Sequence, residues 1–397
     1  MVYKKSCASF LLASALFVSP LAIHGVHAAP TSDYHYEIHV AGQPSTYFQQ
    51  DSVYMKNGTL YVQLNSLADS YWIQASFDST GKRAGFNGWL KKIGIRDGSK
   101  KAIVDGKVVM MAKPAYFKKE KDSKQPGVYV PFQFAIEALG GTYTGYNAKT
   151  KAVTAKNLQE PHFIYTTHHG IMYGADKNDG AVYKWDGKNK PVQILSLHTN
   201  LDASGIDVET TPGGLLLITI GNSYGEPHLN SEVYQFLYKN GALIRQNHAD
   251  YSPGNTDVMD RYKGKIMMND SHILRFIEDG SGDVVQTIDL TKLGNKGADQ
   301  QYSIEAMDDD MLLIRNAHDF ELSIANIHTE HSALLYKQVL SANEQKVVEE
   351  SLPDALQFMS ADRLTFKKRV GHTLYFTFAS PNGDPPRTVT YDLNQLK

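Results

Sequence analysis

Most of the first third of the chain alternates apolar and polar positions with a period of two, which is the pattern of β-strands. Two segments instead space their apolar residues as a helix does: 66–71 and, more clearly, 131–139, which ends at the glycine pair Gly140-Gly141. Each predicted helix is followed by a strand, a polar turn and another strand. The remaining predicted strands cover 34–40, 60–64, 102–111, 128–132 and 152–155. Residues 30–157 are therefore expected to form an α+β unit in which strands dominate.

Residues 161–397 follow another rhythm, in which short apolar stretches open after a glycine or a polar turn. These stretches begin at residues 170, 214, 264, 310 and 372, and each has a predicted strand before it. The predicted third strands are 181–185, 233–236, 272–276, 333–336 and 388–391. Four strands in every 40–50 residues is typical of the blades of a β-propeller.

The expected fold is therefore mainly β, with the α+β unit followed by a propeller-like unit of about five blades. The long interval between residues 310 and 372 leaves room for an extra helix or for a sixth blade. A stacked β-sandwich is the alternative, because no dipeptide signature of a particular propeller family occurs.

The N-terminus reads as a secretory signal peptide over residues 1–28. Lys4 and Lys5 supply its charged start, residues 10–23 its apolar core, and Val26-His27-Ala28 its small-residue exit. The apolar core is short for a membrane span, and no later segment approaches 18 apolar residues, so we expect no membrane span. The only cysteine, Cys7, lies inside this signal, which excludes disulfides and cysteine chemistry from the exported protein.

Composition excludes some classes of binding partner for the mature chain. The sequence has 40 basic and 42 acidic residues, so it has no net field that would attract nucleic acid or an anionic membrane. About 370 residues remain after removal of the signal, enough for two domains with separate cores. The 23 tyrosines and 16 phenylalanines suit both strands and sugar-stacking surfaces.

One motif set occurs twice in the first unit. Tyr61-Val62 precedes the first predicted helix, and Tyr129-Val130-Pro131-Phe132 precedes the second. Upstream of each lies a second shared element, at Val40-Ala41-Gly42-Gln43 and at Val104-Asp105-Gly106-Lys107. The second copy continues with Glu137-Ala138-Leu139-Gly140-Gly141, Tyr146-Asn147 and Thr150-Lys151-Ala152-Val153.

With these motifs, residues 30–157 resemble the copper amine oxidase N-terminal-like domain, or stalk domain, common in secreted proteins of Gram-positive bacteria. The first copy departs from the family pattern at Gln63, where proline is expected, and at Asp69-Ser70-Tyr71, where the helix should end in glycine. The resemblance implies an accessory domain for attachment or spacing at the cell envelope.

The oxidase activity in the family's name does not transfer to this chain. Copper amine oxidases need a His-x-His copper pair and a cofactor-forming tyrosine that follows an asparagine. Neither pattern occurs in this sequence. We therefore predict no copper and no other cofactor, and we lean towards a protein that is not an enzyme.

In a propeller, the loops between second and third strands emerge on the same face as the connections between blades. That face would be rich in His, Asp and Asn, and two of its loops are alike, at 269–272 and 316–319. Imidazole and carboxylate groups suit a metal ion, acid–base chemistry or sugar binding, whereas the same residue types also form ordinary turns. We predict no metal. The candidate ligand-binding residues are His228, Asn269, Asp270, His272, Asn316, His318 and Asp319.

The sequence thus predicts a secreted or cell-wall-associated protein without catalytic activity. The first unit would attach to the envelope, and the second would recognise cell-wall polysaccharide, peptidoglycan or a surface protein. The alternative is an extracellular propeller enzyme that acts on a glycan through the His/Asp loops.

Overall fold

The computed structural model describes residues 34–396, apart from 41–45, 50–51, 72, 120–124, 159–161, 227, 229, 252–258, 295–296, 298, 352–361 and 381–383. The predicted signal peptide, residues 1–28, lies outside the described residues. Within them, no helix has the length and apolar character needed to cross a membrane. The described chain is mainly β.

The first unit, residues 34–158, contains thirteen strands and two short helices among the residues described. Its strands are β1 (Tyr34–Val40), β2 (Thr46–Gln49), β3 (Val53–Lys56), β4 (Thr59–Gln63), β5 (Gln74–Phe77), β6 (Arg83–Gly88), β7 (Lys91–Arg96), β8 (Lys101–Val104), β9 (Lys107–Met110), β10 (Tyr116–Lys118), β11 (Gly127–Pro131), β12 (Thr142–Asn147) and β13 (Ala152–Lys156). Its helices are α1 (Leu64–Ser70) and α2 (Phe132–Ala138).

The two copies of the repeated motif meet at the centre of one sheet. Strands β4 and β11 pair antiparallel, with Val62 opposite Val130, and each runs directly into its helix. As predicted, α1 is followed by β5, a turn and β6, and α2 by β12, a turn and β13. The three sheets have the orders β12-β13-β1-β2, β10-β11-β4-β3 and β5-β6-β7-β8-β9. They share one apolar core that runs from Ile38 to Leu158.

The second unit, residues 162–396, begins with two four-stranded sheets. Sheet 1 consists of β14 (Phe163–His168), β15 (Ile171–Asp176), β16 (Ala181–Trp185) and β17 (Val192–Ser196). Sheet 2 consists of β18 (Ala203–Thr210), β19 (Leu216–Tyr224), β20 (Asn230–Lys239) and β21 (Ala242–Tyr251).

Three further sheets follow. Sheet 3 consists of β22 (Arg261–Tyr262), β23 (Lys265–Asn269), β24 (Ile273–Ile277) and β25 (Val284–Asp289), and α3 (Leu290–Gly294) follows it. Sheet 4 consists of β26 (Tyr302–Met307), β27 (Leu312–Asn316), β28 (Leu322–Ala325) and β29 (Ser332–Leu334), followed by α4 (Leu335–Val339) and α5 (Ala342–Ser351). Sheet 5 consists of β30 (Leu364–Val370), β31 (Thr373–Phe378) and β32 (Arg387–Asp392), before a 3₁₀ turn at Leu393–Gln395.

The five sheets are antiparallel meanders that pack face to face in chain order. Apolar clusters join sheet 1 to sheet 2, sheet 2 to sheet 3, sheet 3 to sheet 4 and sheet 4 to sheet 5. Alternation along each strand places one set of apolar side chains on each face, so an inner sheet contributes to two clusters. In sheet 2, for example, Ile218 and Phe236 pack towards sheet 1, whereas Leu217 and Leu237 pack towards sheet 3.

In each of the five sheets of the second unit the predicted second strand is confirmed, but one predicted third strand is wrong. The third strand of sheet 4 is β28, and residues 333–336 instead complete β29 and begin α4. Leu335 and Tyr336 are buried in the core between sheets 4 and 5, which explains their apolar character without a strand. The long last interval holds the extra helices α4 and α5 in its described residues.

Candidate functional site

An open cleft of about 680 Å³ surrounds the outermost strand of sheet 2, β21. Neighbouring strands of sheets 1 and 3 form its walls. The lining residues are Ser196, Leu197, Tyr234, Phe236, Arg245, Gln246, Asn247, His248, Met268, Asp270, Arg275, Ile277 and Val284. Aromatic, charged and amide side chains thus share a solvent-accessible groove.

Strand β21 divides this cleft into two sides because successive side chains point to opposite faces of a strand. Gln246 and His248 lie on the face of Phe236 and Tyr234, their cross-strand partners, which is the face that packs against sheet 1. Arg245 and Asn247 lie on the face towards sheet 3, where Asn247 Nδ2 donates to the carbonyl oxygen of Asn269 at 2.7 Å. We call the two sides the His248 side and the Arg245 side.

On the His248 side, Glu232 is the acceptor for three neighbouring side chains. Its Oε1 accepts from the Tyr234 hydroxyl at 2.8 Å and lies 3.4 Å from His248 Nε2, and its Oε2 accepts from Asn222 Nδ2 at 2.9 Å. The hydrogen bond with His248 above all, and those with Asn222 and Tyr234, lower the pKa of Glu232 although burial opposes this. Glu232 is therefore ionised at neutral pH and orients the imidazole.

The imidazole of His248 is also stacked on the ring of Tyr234. The ring centroids lie 4.3 Å apart and the planes are inclined by 8°. Burial, and then the neighbouring Glu232 carboxylate, raise the pKa of Tyr234, so its hydroxyl stays protonated and continues to donate. Nearly half of the His248 side chain is exposed, at 48%, which leaves it accessible from the cleft.

Further polar pairs extend from this cluster at the same end of sheet 2. The Tyr224 hydroxyl donates to Asp250 Oδ1 at 2.7 Å, and the backbone amide of Asp202 donates to Asn222 Oδ1 at 2.7 Å. His228 Nε2 lies 2.9 Å from Asp202 Oδ2, and both side chains are exposed. Of the sequence-predicted residues, His228 is thus at the rim of this cluster.

The predicted loop at 269–272 is organised as a turn. Asn269 is buried, and its Nδ2 donates to the Tyr251 hydroxyl at 3.2 Å and to the Tyr302 carbonyl at 2.9 Å. Its Oδ1 accepts from the backbone amide of Ser271 at 2.9 Å, and Ser271 Oγ is 3.1 Å from His272 Nδ1. Asn269 therefore joins sheets 2, 3 and 4 rather than facing a ligand.

Asp270 stabilises a turn and also lies on the Arg245 side of the cleft. Its Oδ1 accepts from the backbone amides of His272 and Ile273, and its Oδ2 accepts from Arg275 Nη1 at 2.6 Å. Burial would raise the pKa of Asp270, but the hydrogen bonds with Arg275 and the two amides outweigh it and lower the pKa. The carboxylate is thus ionised and already paired.

The second predicted loop, at 316–319, repeats this turn. Asn316 is buried, and its Oδ1 accepts from the backbone amides of His318 and Asp319 at 2.7 and 3.1 Å. The two loops adjoin each other through Tyr302, whose backbone amide donates to Ser271 and which pairs with Asn316 across the strands. His318 is exposed outside the cleft.

The structure therefore separates the predicted residues by role. Asn269, Asn316 and Asp319 stabilise turns, Asp270 lines the cleft, and His228, His272 and His318 lie outside it. Sequence reasoning missed Glu232, Tyr234, Arg245 and Arg275 as members of the site. Strands β20 and β21 carry three of the four, and their alternation was the only available signal.

This arrangement suits the binding of a polar ligand. The cleft offers the exposed imidazole of His248, the amide group of Gln246 and the guanidinium of Arg245, groups that can contact sugars, peptides and their charged substituents. The described residues include no cluster of three or more His, Cys, Asp or Glu side chains placed to hold a metal ion. The contact between Glu232 Oε1 and Nε2 of the cleft residue His248, at 3.4 Å, has a geometry suited to proton transfer.

No protein-family model matches the sequence, and no curated protein matches it either. Among solved structures, the chain is similar to a Bacteroides caccae protein of unknown function, with 10% identity and a TM-score of 0.23, covering 77% of this chain and 88% of that one. Saccharomyces cerevisiae Sqt1 matches with 11% identity and a TM-score of 0.24, over 91% and 96% of the two chains.

A Mycobacterium tuberculosis puromycin-hydrolyzing peptidase matches with 11% identity and a TM-score of 0.25, covering 85% of this chain and 47% of that one. Similarities at this level carry no argument about fold or function. The fold is described by the sheets above, and the inferences about function below start from the cleft.

Proposed function

We propose that this chain is a secreted, cell-envelope-associated protein that binds a polysaccharide, peptidoglycan or a surface protein without transforming it. The cleft around β21 is the observation that carries this proposal. The exposed His248 ring, stacked on the buried ring of Tyr234, offers a flat surface, and the exposed Gln246 on the same face of β21 offers hydrogen bonds. An open groove of this kind accommodates a segment of a long ligand, whereas a small metabolite would call for a closed pocket.

The architecture proposed for this function has two parts. The first unit is a stalk-like module, as its resemblance to the copper amine oxidase N-terminal-like domain implies. The second unit is a propeller-like array of five blades, which the meander topology and the face-to-face packing of sheets 1 to 5 support. The first would attach to the envelope, and the second would present the cleft.

A glycan-active enzyme is the second candidate, and the Glu232–His248 pair favours it. A carboxylate that holds an imidazole with an accessible edge is an arrangement used for general acid–base catalysis. The same contact also keeps His248 flat on Tyr234, as a binding surface requires. We prefer binding because Asp270, the other carboxylate that lines the described part of the cleft, is already paired with Arg275.

Co-sedimentation with insoluble cell-wall fragments from a Gram-positive bacterium tests this proposal on the mature protein. We expect the wild type to sediment with the fragments and His248→Ala to bind about tenfold more weakly, because the exposed half of the stack is lost. His331→Ala, a change of the same kind at an exposed turn outside the cleft, should bind like the wild type.

The soluble fraction of the same experiment separates the two candidates. A binding protein releases no new reducing sugars from the fragments. If the wild type releases reducing sugars and neither Glu232→Gln nor His248→Ala does, the protein is the glycan-active enzyme instead. Wild-type protein that neither sediments nor releases sugar would reject both candidates.

A further inference from the structure

We propose that Arg245 forms a subsite for an acidic group of the ligand, a carboxylate or a phosphate carried by an envelope polymer. This inference rests on the proposed function and specifies the chemistry of the bound ligand. It arises from the Arg245 side of the cleft, whereas the proposed function arises mainly from the His248 side.

A β-bulge sets the position of Arg245. The register between β20 and β21 shifts after the pair formed by Leu237 and Arg245, because Tyr238 pairs with Leu243 and leaves Ile244 as the extra residue. A bulge changes the direction of the side chains beside it. Here Ile244 packs into the core between sheets 2 and 3, and its carbonyl accepts from Arg245 Nη1 at 2.9 Å. The guanidinium is thereby held at the wall of the cleft.

The charges on this side of the cleft do not balance. Arg275 is paired with Asp270, whose other oxygen is occupied by two backbone amides. No carboxylate among the described residues forms an ion pair with Arg245, and its buried Nε has no acceptor. Two cations therefore face one anion, and the unsatisfied donor belongs to the unpaired cation.

An acidic oxygen in the cleft would compensate the charge of this guanidinium. A partly buried guanidinium is stabilised by an anionic partner, and its planar fork of N–H donors matches carboxylate and phosphate oxygens. A neutral sugar could accept a hydrogen bond but would leave the charge uncompensated. The overall charge of the protein, −2, supplies no general attraction for an acidic polymer, so the preference must come from this local site.

Cell-wall fragments in three preparations serve as the probe: untreated, with carboxylates amidated, and with phosphodiesters removed by hydrofluoric acid. The proteins are the wild type, Arg245→Gln, Arg245→Lys and Arg96→Gln. Arg96 is exposed on the first unit, so its change alters the net charge equally and leaves the cleft intact. Thermal unfolding of each variant checks that it is folded.

We expect Arg245→Gln to bind untreated fragments about tenfold more weakly than the wild type and Arg96→Gln, with Arg245→Lys between them. Removing the relevant acid should lower wild-type binding to the level of Arg245→Gln and leave that variant unchanged. Sensitivity to amidation identifies a carboxylate, and sensitivity to hydrofluoric acid identifies a phosphate.

Two results would overturn the inference while the proposed function stands. One is equal binding by Arg245→Gln and Arg96→Gln when His248→Ala is impaired. The other is wild-type binding that neither treatment changes. A wild type that does not sediment with untreated fragments rejects the proposed function, and this inference fails with it.

Discussion

The indole ring of Trp89 in the first unit stacks on Phe163 in the second, with ring centroids 5.2 Å apart and planes inclined by 22°. Trp89 lies in the turn between β6 and β7, and its ring also meets Trp185 at 6.1 Å. Beside this contact, Lys92 Nζ donates to the Gly187 carbonyl at 3.0 Å. The hairpin therefore covers a face of sheet 1, and side-chain packing links the two units.

This contact uses the face of sheet 1 that points away from sheet 2. Phe163 alternates with Ile164 along β14, and Ile164 belongs to the core shared with sheet 2. Gly174 lies beneath the indole, and a Cβ at that position would come within 2.8 Å of the Trp89 ring. Glycine thus permits the close approach of the two units.

Gly174→Ala should weaken the contact between the units. The added methyl group must displace the indole, and we expect a loss of about 1–3 kcal/mol in the free energy of unfolding. Denaturant titration measures this loss, and a red shift of tryptophan emission reports exposure of Trp89. Gly221→Ala is the matched control, because its Cβ would meet no atom within 4 Å. Equal stability of the two variants would contradict the role of Gly174.

Asn269 and His318 were both predicted from the sequence to bind a ligand. From the structure we expect a large loss of stability on substitution of Asn269 and almost none on substitution of His318. Asn269→Ala should lower the free energy of unfolding by about 2–3 kcal/mol, because it removes the buried amide that bonds to the Tyr302 carbonyl and the Ser271 backbone amide. His318→Ala should change the free energy of unfolding by less than about 0.5 kcal/mol, because the side chain is exposed. Thermal or chemical unfolding of both variants decides this, and a large effect at His318 would refute it.

Ionisation of Glu232 should make the free energy of unfolding decrease as the pH falls into the acidic range. The folded state lowers its pKa below the ordinary value of 4.5, so the ionised carboxylate stabilises the protein above that pH. This contribution is lost as the pH falls from 4.5 through the lower pKa of the folded state. We expect Glu232→Gln to be less stable than the wild type by about 1–2 kcal/mol at neutral pH.

The measurement is chemical unfolding of wild type and Glu232→Gln between about pH 7 and pH 3. The stability difference should shrink as the solution becomes more acidic than pH 4.5. A difference that stays constant over the whole range would show that ionisation of Glu232 contributes nothing. The exposed pair Lys346 and Glu350 provides a control, since Glu350→Gln should have almost no effect at any pH.

The local pattern of the sequence determined most of the elements. Period-two alternation located β1, β4 and β11, and the helical spacing of apolar residues located the helices that follow β4 and β11. These features depend on interactions between near neighbours in the chain, so they can be read from one segment at a time. The run at 333–336 misled because a short apolar stretch fits a strand and a buried helix equally well.

Only the tertiary structure decided which polar residues act together. The turns at Asn269 and Asn316 look like sites in the sequence because turns and binding loops use the same residue types. The cleft instead combines His248 and Arg245 from opposite faces of one strand with Asp270 and Arg275 from the next sheet. That combination depends on how sheets stack and on a bulge at Ile244, and a contact between distant segments leaves no periodic trace in either of them.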